Sequence, residues 1–169
     1  NLDVPLPIGY GQTNSQPLTV ALMLELLQPK PGDRVLDVGA GSGWTAALFA
    51  HIVGNKGHVV AMERIPQLSR RAMENCAPYH FSNLTFVRKD ATEEDPRMPE
   101  YDVIHVAAAA QKHVPDVFRD QLAVHGRLLI PVGRGTQTLI LLTRVSKTRF
   151  LEKRFPGFSF VPLLEGPLQ

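Results

Sequence analysis

Residues Asp37 to Gly43 read Asp-Val-Gly-Ala-Gly-Ser-Gly. Glycines at every second position let a backbone approach a bound molecule closely and adopt turns that side chains resist. The run follows Arg34–Val38, where Val35, Leu36 and Val38 predict a short buried strand. Two later strand-like runs each end on an acid: His58–Glu63 on Glu63, and Leu84–Asp90 on Asp90. A carboxylate at the first of these strand ends can accept both hydroxyls of a ribose, and one at the second can meet the amino group of an adenine. Ahead of all this lies GYGQTNSQPLTV (Gly9–Val20), rich in hydroxyl and amide side chains and free of charge.

Two cofactor classes fit a glycine-rich turn after a first strand. Dinucleotide sites use Gly-x-Gly-x-x-Gly and seat a pyrophosphate on a helix N-terminus. Here Trp44 stands where the third glycine would fall. Asp37 would place an anion beside that pyrophosphate. S-adenosyl-L-methionine carries an ammonium and a sulfonium and no phosphate, so electrostatics favours it, with S-adenosyl-L-homocysteine as the product. Asp37, Gly39, Ala40, Gly41, Glu63 and Asp90 are the residues this expectation places at the cofactor.

The elements that must hold these groups alternate in type. Pro17 to about Gln28 has apolar residues at helical spacing, with Pro17 suited to a first turn and Ser15 or Gln16 at the cap. Trp44–Val53, Pro66–Tyr79 and Val114–Leu122 read as further helices. Tyr101–Ala108 reads as a fourth strand, Gly126–Gly133 with Thr138–Val145 as a hairpin pair, and Phe158–Leu164 as the last strand. The fold class expected is α/β: a Rossmann-like, doubly wound, mainly parallel sheet with an antiparallel edge and helices on both faces. Length suits a single domain over 1–169, with the Pro- and Gly-rich residues 1–16 as an extended segment covering the site.

Composition narrows the remaining classes. One cysteine, Cys76, excludes an internal disulfide framework and a cysteine zinc site, and a reduced, cytoplasmic setting is expected. The six histidines show no ligand spacing, so no metal is expected. No apolar run approaches the ~20 residues of a membrane span, and no signal peptide opens the chain. A net charge of +2 gives no argument for a nucleic-acid partner. The basic residues Arg144, Lys147, Arg149, Lys153 and Arg154 read as a solvated face. Trp44 reads as packing, and Cys76 as buried and inert.

Over Pro5–Leu164 the chain resembles the protein-L-isoaspartate (D-aspartate) O-methyltransferases, a branch of the class I AdoMet-dependent methyltransferases. LDVGAGSG (Leu36–Gly43) resembles a motif common to many methyltransferases. PLPIGYGQTNSQP (Pro5–Pro17), YDVIHVAAAA (Tyr101–Ala110), QLAVHGRLLIPVG (Gln121–Gly133) and FVPL (Phe160–Leu163) resemble segments specific to the family. The resemblance implies methyl transfer from S-adenosyl-L-methionine to the free carboxylate of L-isoaspartyl and D-aspartyl residues in damaged peptides and proteins. The ester then collapses to a succinimide, which begins repair.

The same resemblance implies roles for individual residues. Ser15 takes the catalytic serine position and holds the acceptor carboxylate, with Thr13 assisting. Gln12, Thr13 and Asn14 line the cofactor. Glu63 and Arg64 form the ribose-end pair, and Asp90 and Ala91 the adenine-end pair. The chain departs from the family pattern at Asn14, Gln16 and Leu18, where Ile, Ala and His are usual, and at Lys89 and Ala91, which flank Asp90 in place of glycines. The family's helical segments ahead of PLPIGYG have no counterpart in this sequence. These departures leave two alternatives open: a diverged methyltransferase for another carboxylate or a small molecule, or a non-catalytic AdoMet-binding protein. A monomer is the default expectation.

Overall fold

The computed structural model of the chain describes residues 3–95, 98–164 and 166. A hairpin comes first, β1 (Leu6–Gly9) and β2 (Gln12–Asn14), followed by α1 (Pro17–Leu27). Then come β3 (Arg34–Val38), α2 (Trp44–Val53), β4 (His58–Met62), α3 (Pro66–Cys76) and β5 (Leu84–Val87). The second half holds β6 (Tyr101–Val106), α4 (Asp116–Asp120), β7 (Leu122–Val132), β8 (Gln137–Arg144) and β9 (Phe150–Phe158). Among the described residues seven strands form one sheet, ordered β5-β4-β3-β6-β7-β8-β9. β3 pairs in parallel with both β4 and β6, while β7–β8 and β8–β9 are antiparallel. The parallel body with an antiparallel edge follows the expectation from sequence.

Period-two alternation divides each central strand between two cores. Leu36, Val38, Ile104 and Val106 pack on one face with Phe118 of α4. Val35, Val59 and Val103 pack on the other with Met23 and Leu27 of α1 and Phe49 and Val53 of α2. Each fully buried Leu, Val or Phe contributes about 1.5–3 kcal/mol. The strands run β3, β4, β5 to one side, and β6 then returns to the other side of β3. Strand order therefore reverses between β3 and β6, which opens a crevice beyond their C-terminal ends. Every element that carries a candidate site residue ends at or near this crevice.

Several elements differ from the sequence reading, each for a local reason. Of the expected N-terminal segment 1–16, residues 1 and 2 lie outside the described residues, and the remainder is not wholly irregular, because β1 and β2 pair around Tyr10 and Gly11, both at positive φ. Pro78 lacks an amide hydrogen, so α3 ends at Cys76 and residues 77–79 tighten into a 3-10 turn. α4 is only five residues, because β7 begins at Leu122, ahead of Gly126. The last strand is not Phe158–Leu164 but β9, whose polar LEKR stretch suits an exposed edge. Pro162 cannot donate to a ladder, and the apolar tail instead crosses the C-terminal end of β6 through one bridge to Ala109.

Neither Ser15 nor Gln16 caps α1 by its side chain. Asp3 does so from outside, its Oδ1 accepting the Leu18 N–H at 2.9 Å. The expected basic face holds for Lys147, Arg149, Lys153 and Arg154, which are exposed. Arg144 departs from it: its guanidinium donates to the carbonyls of Leu122 and Lys147 and lies over the Phe150 ring.

Candidate active site

A cavity opens in this crevice, walled by the ends of β3 and β4, the loops after β5 and β6, the β1–β2 hairpin and the residues 161–164. Its floor is the glycine turn. Gly39, Gly41 and Gly43 have φ of 79°, 55° and 86°, a region where side chains are strained. Sterics adds a second requirement at two of them. A Cβ at Gly41 would stand 3.0 Å from Ile8 Cδ1, and one at Gly43 would meet Cys76 Sγ at 2.9 Å and the Ala72 carbonyl at 3.0 Å. The spacing of these glycines is thus set by the β1–β2 hairpin above and by α3 beside the turn.

Two acids stand at the ends of β4 and β5. Glu63 is 6% exposed, and its oxygens accept the backbone N–H groups of Gly41 and Ile65, each at 2.9 Å. Each oxygen keeps a further lone pair for a ligand hydroxyl. Asp90 is 2% exposed, and its Oδ1 accepts from the Thr92 N–H at 2.9 Å and the Thr92 hydroxyl at 2.7 Å. Its Oδ2 lies 3.5 Å from Arg64 Nη1. Lys89 also reaches the cavity, with its ammonium held 3.1 Å from Asp95.

The hairpin is fastened over the glycine turn at both ends. Ser42 donates its hydroxyl to Asn14 Oδ1 at 2.7 Å, and Arg71 donates to the Ile8 carbonyl at 2.8 Å. Gln12 and Thr13 thereby face the cavity. The opposite wall is the tail Val161–Leu164. It is held by Ala109, which exchanges 2.8 Å backbone bonds with Val161 and Leu163, and by Gln137, whose side chain bonds both backbone groups of Phe160.

Of the residues expected at the site, Gln12, Thr13, Gly39, Gly41, Glu63, Arg64, Asp90 and Ala91 line this one cavity. Ala40 does not line the cavity, and its side chain packs with Ala46 and Ala61. Asn14 is spent on Ser42. Ser15 is partly buried and does not line the cavity, and its hydroxyl makes no hydrogen bond among the described residues.

Asp37 departs from expectation. It is fully buried beneath the turn, accepting the Thr45 hydroxyl at 2.8 Å and facing His105 Nδ1 at 2.6 Å. The reason is alternation: like Val35, Asp37 points to the α2 side of the sheet, opposite His105 in register. Its carboxylate braces the start of α2 rather than touching the cavity. Beside it Cys76 is buried, and burial, then the Asp37 charge, push its thiol pKa up. Its burial agrees with the expectation from sequence.

The sequence missed Ile8, Lys89, Ala107, Ala108 and the tail as cavity walls. Pro162 was the available signal for the tail, since it argued against a strand there. Among the described residues no cluster of His, Cys, Asp and Glu could hold a metal ion, and no helix is long and apolar enough to cross a membrane.

The residues fit a phosphate-free nucleoside ligand. Two buried acids lie at successive strand ends, a close backbone floor lies between them, and the cavity's two cations are each set against an acid. A crystal structure of a Plasmodium falciparum protein described as a protein-L-isoaspartate O-methyltransferase, with S-adenosyl-L-homocysteine bound, has the same fold. It superposes with a TM-score of 0.86 at 28% identity, covering 98% of this chain and 82% of that one. Fold and site together define a class I AdoMet-dependent methyltransferase.

The protein-L-isoaspartate O-methyltransferase of Ignicoccus hospitalis is 43% identical over 96% of this chain and 77% of its own length. That of Methanothermobacter thermautotrophicus is 39% identical over 96% and 76%. The family model for protein-L-isoaspartate (D-aspartate) O-methyltransferases matches residues 2–167, and the chain belongs to that family.

Proposed function

We infer that the chain transfers the methyl group of S-adenosyl-L-methionine to the free carboxylate of L-isoaspartyl and D-aspartyl residues in damaged proteins and peptides. The observation that carries this reading is the pairing of the Glu63–Asp90 cavity with an uncommitted Ser15 hydroxyl on the turn fastened over it. The bound sulfonium supplies an activated methyl group. A carboxylate oxygen bonds to that carbon as the carbon–sulfur bond breaks, and the electron pair leaves on the thioether sulfur. The acceptor is already ionised at neutral pH, so no strong general base is needed.

The task of the protein is placement and exclusion of water. Glu63 orients the ribose end with Arg64 beside it, and Asp90 with Ala91 the adenine end. Gly39, Ala40 and Gly41 present backbone to the methionine end, and Asp37 supports that floor from below. Ser15 donates to the acceptor carboxylate and Thr13 assists, while residues 3–16 cover the site. The whole chain acts as one methyltransferase domain, as a monomer in the cytoplasm. A neighbouring backbone amide nitrogen then attacks the ester carbonyl and gives up its proton as methanol departs, and water reopens the resulting succinimide to a normal aspartyl link.

The departures at Asn14, Gln16 and Leu18 leave the cavity intact. Leu18 is 65% exposed on the outer side of α1, and none of the three lines the cavity. That favours the isoaspartyl reading over a changed acceptor. Methanol release from an isoaspartyl peptide and from its normal aspartyl twin tests it. Strong preference for the isoaspartyl peptide is expected, and equal or absent turnover of both overturns the reading.

A further inference from the structure

Ser15 has no hydrogen bond of its own among the described residues, yet the residues on either side of it are tied down. On one side Asn14 accepts from Ser42 at 2.7 Å. On the other, a single carboxylate takes two bonds: Asp3 Oδ2 accepts from Gln16 Nε2 at 2.7 Å, and Asp3 Oδ1 accepts the Leu18 N–H at 2.9 Å. Asp3 precedes β1, and Gln16 follows β2. The carboxylate therefore closes the open end of the hairpin and fixes the entry to α1 together. Pro17 lacks an amide hydrogen, so Leu18 carries the first free donor of the helix, and a negative charge is favourable at that end.

We propose that Asp3 is a positioning residue for methyl transfer, clasping Gln16 and Leu18 so that the Ser15 hydroxyl is held at the mouth of the cavity. This rests on the reading of Ser15 as the donor to the acceptor carboxylate. An unheld turn would have to be ordered by each incoming peptide, and that ordering would be subtracted from binding in the transition state. The cofactor walls made by Glu63 and Asp90 are anchored elsewhere, by Gly41, Ile65 and Thr92. The clasp acts on the acceptor side and leaves the cofactor side unchanged.

Three proteins test this: wild type, Asp3→Ala and Asp3→Asn. Asparagine keeps an oxygen for Leu18, and its amide can meet Gln16 once the Gln16 amide turns over. Asp3→Ala is expected to lower kcat/KM for an isoaspartyl peptide about tenfold, with the Kd for S-adenosyl-L-homocysteine within about threefold of wild type. Asp3→Asn is expected to restore turnover to within about threefold. A purely structural cap would lower the melting temperature and leave the peptide kinetics, measured well below it, unmoved.

Amide hydrogen exchange at Ser15, Gln16 and Leu18 is read in the same proteins and does not depend on turnover. Faster exchange in Asp3→Ala alone supports the clasp. Unchanged exchange with unchanged kcat/KM overturns it. A wild type that turns over no isoaspartyl peptide counts against the functional reading, and exchange then decides the clasp by itself.

Discussion

Glu63→Gln removes one atom's worth of charge from the point where the cavity floor is held. Glu63 is 6% exposed and accepts two backbone N–H groups, from Gly41 and Ile65, at 2.9 Å each. A glutamine amide has one oxygen. Whichever way it turns, its NH₂ faces one of those donors. One charge-assisted hydrogen bond is lost, about 1.5–3 kcal/mol. Gly41 sits at φ 55° against Ile8, so the loss falls on a turn with little freedom to compensate.

If that energy appears in ligand binding, affinity for S-adenosyl-L-homocysteine drops about 10- to 150-fold. Calorimetric titration gives the Kd, and urea unfolding of the ligand-free protein gives the share that appears as stability. A Glu63→Gln protein that binds within about twofold of wild type, with unfolding changed by less than about 0.5 kcal/mol, would refute the reasoning.

Other outcomes follow from the same geometry. Ser15→Ala should unfold like wild type, since its hydroxyl is unpaired, yet lose about tenfold or more in kcat for an isoaspartyl peptide. Unchanged kcat with Kd for the cofactor product also unchanged would count against Ser15. Gly39→Ala should cost about 1–2 kcal/mol for its positive φ alone, its Cβ meeting nothing nearer than Ala107 at 3.7 Å. Gly43→Ala should cost about 1–3 kcal/mol more through its contacts with Ala72 and Cys76, and equal urea midpoints for the two would contradict this.

Tyr101 is buried with its hydroxyl unpaired among the described residues, and burial, only partly offset by Arg34, raises its pKa from 10.0 to about 12. The folded form holds the phenolic proton more tightly, so this contribution to stability is full below pH 10 and is lost as pH rises toward 12. Tyr101→Phe should flatten stability across that window without destabilising the protein at pH 7.

Much of the site was legible because its chemistry is local in sequence. The glycine turn, Glu63 and Asp90 each sit at the end of a strand with a clear apolar signature, and parallel pairing brings such ends together. Asp37 shows the limit of that reasoning. Its identity and position were legible, but the face it points to depends on pairing with His105, 68 residues away.

The tail Val161–Leu164 is legible as apolar, and the pattern predicts a strand over Phe158–Leu164, since only the crossing at Ala109 shows the tail to be a wall. Asp3 carried no signal at all. Its partners lie 13 and 15 residues on, and only the closed hairpin brings them within reach. Longer-range pairing of this kind, rather than propensity, separates what sequence told from what it did not.

The central claim is that the Glu63–Asp90 cavity holds the methyl donor with its reactive end beneath the Ser15 turn. A crystal structure with S-adenosyl-L-homocysteine bound tests it most directly. The account predicts ribose hydroxyls on Glu63, the adenine against Asp90 and Ala91, and the sulfur facing the turn that carries Thr13 and Ser15. A ligand seated elsewhere, or one whose sulfur points away from that turn, would contradict it.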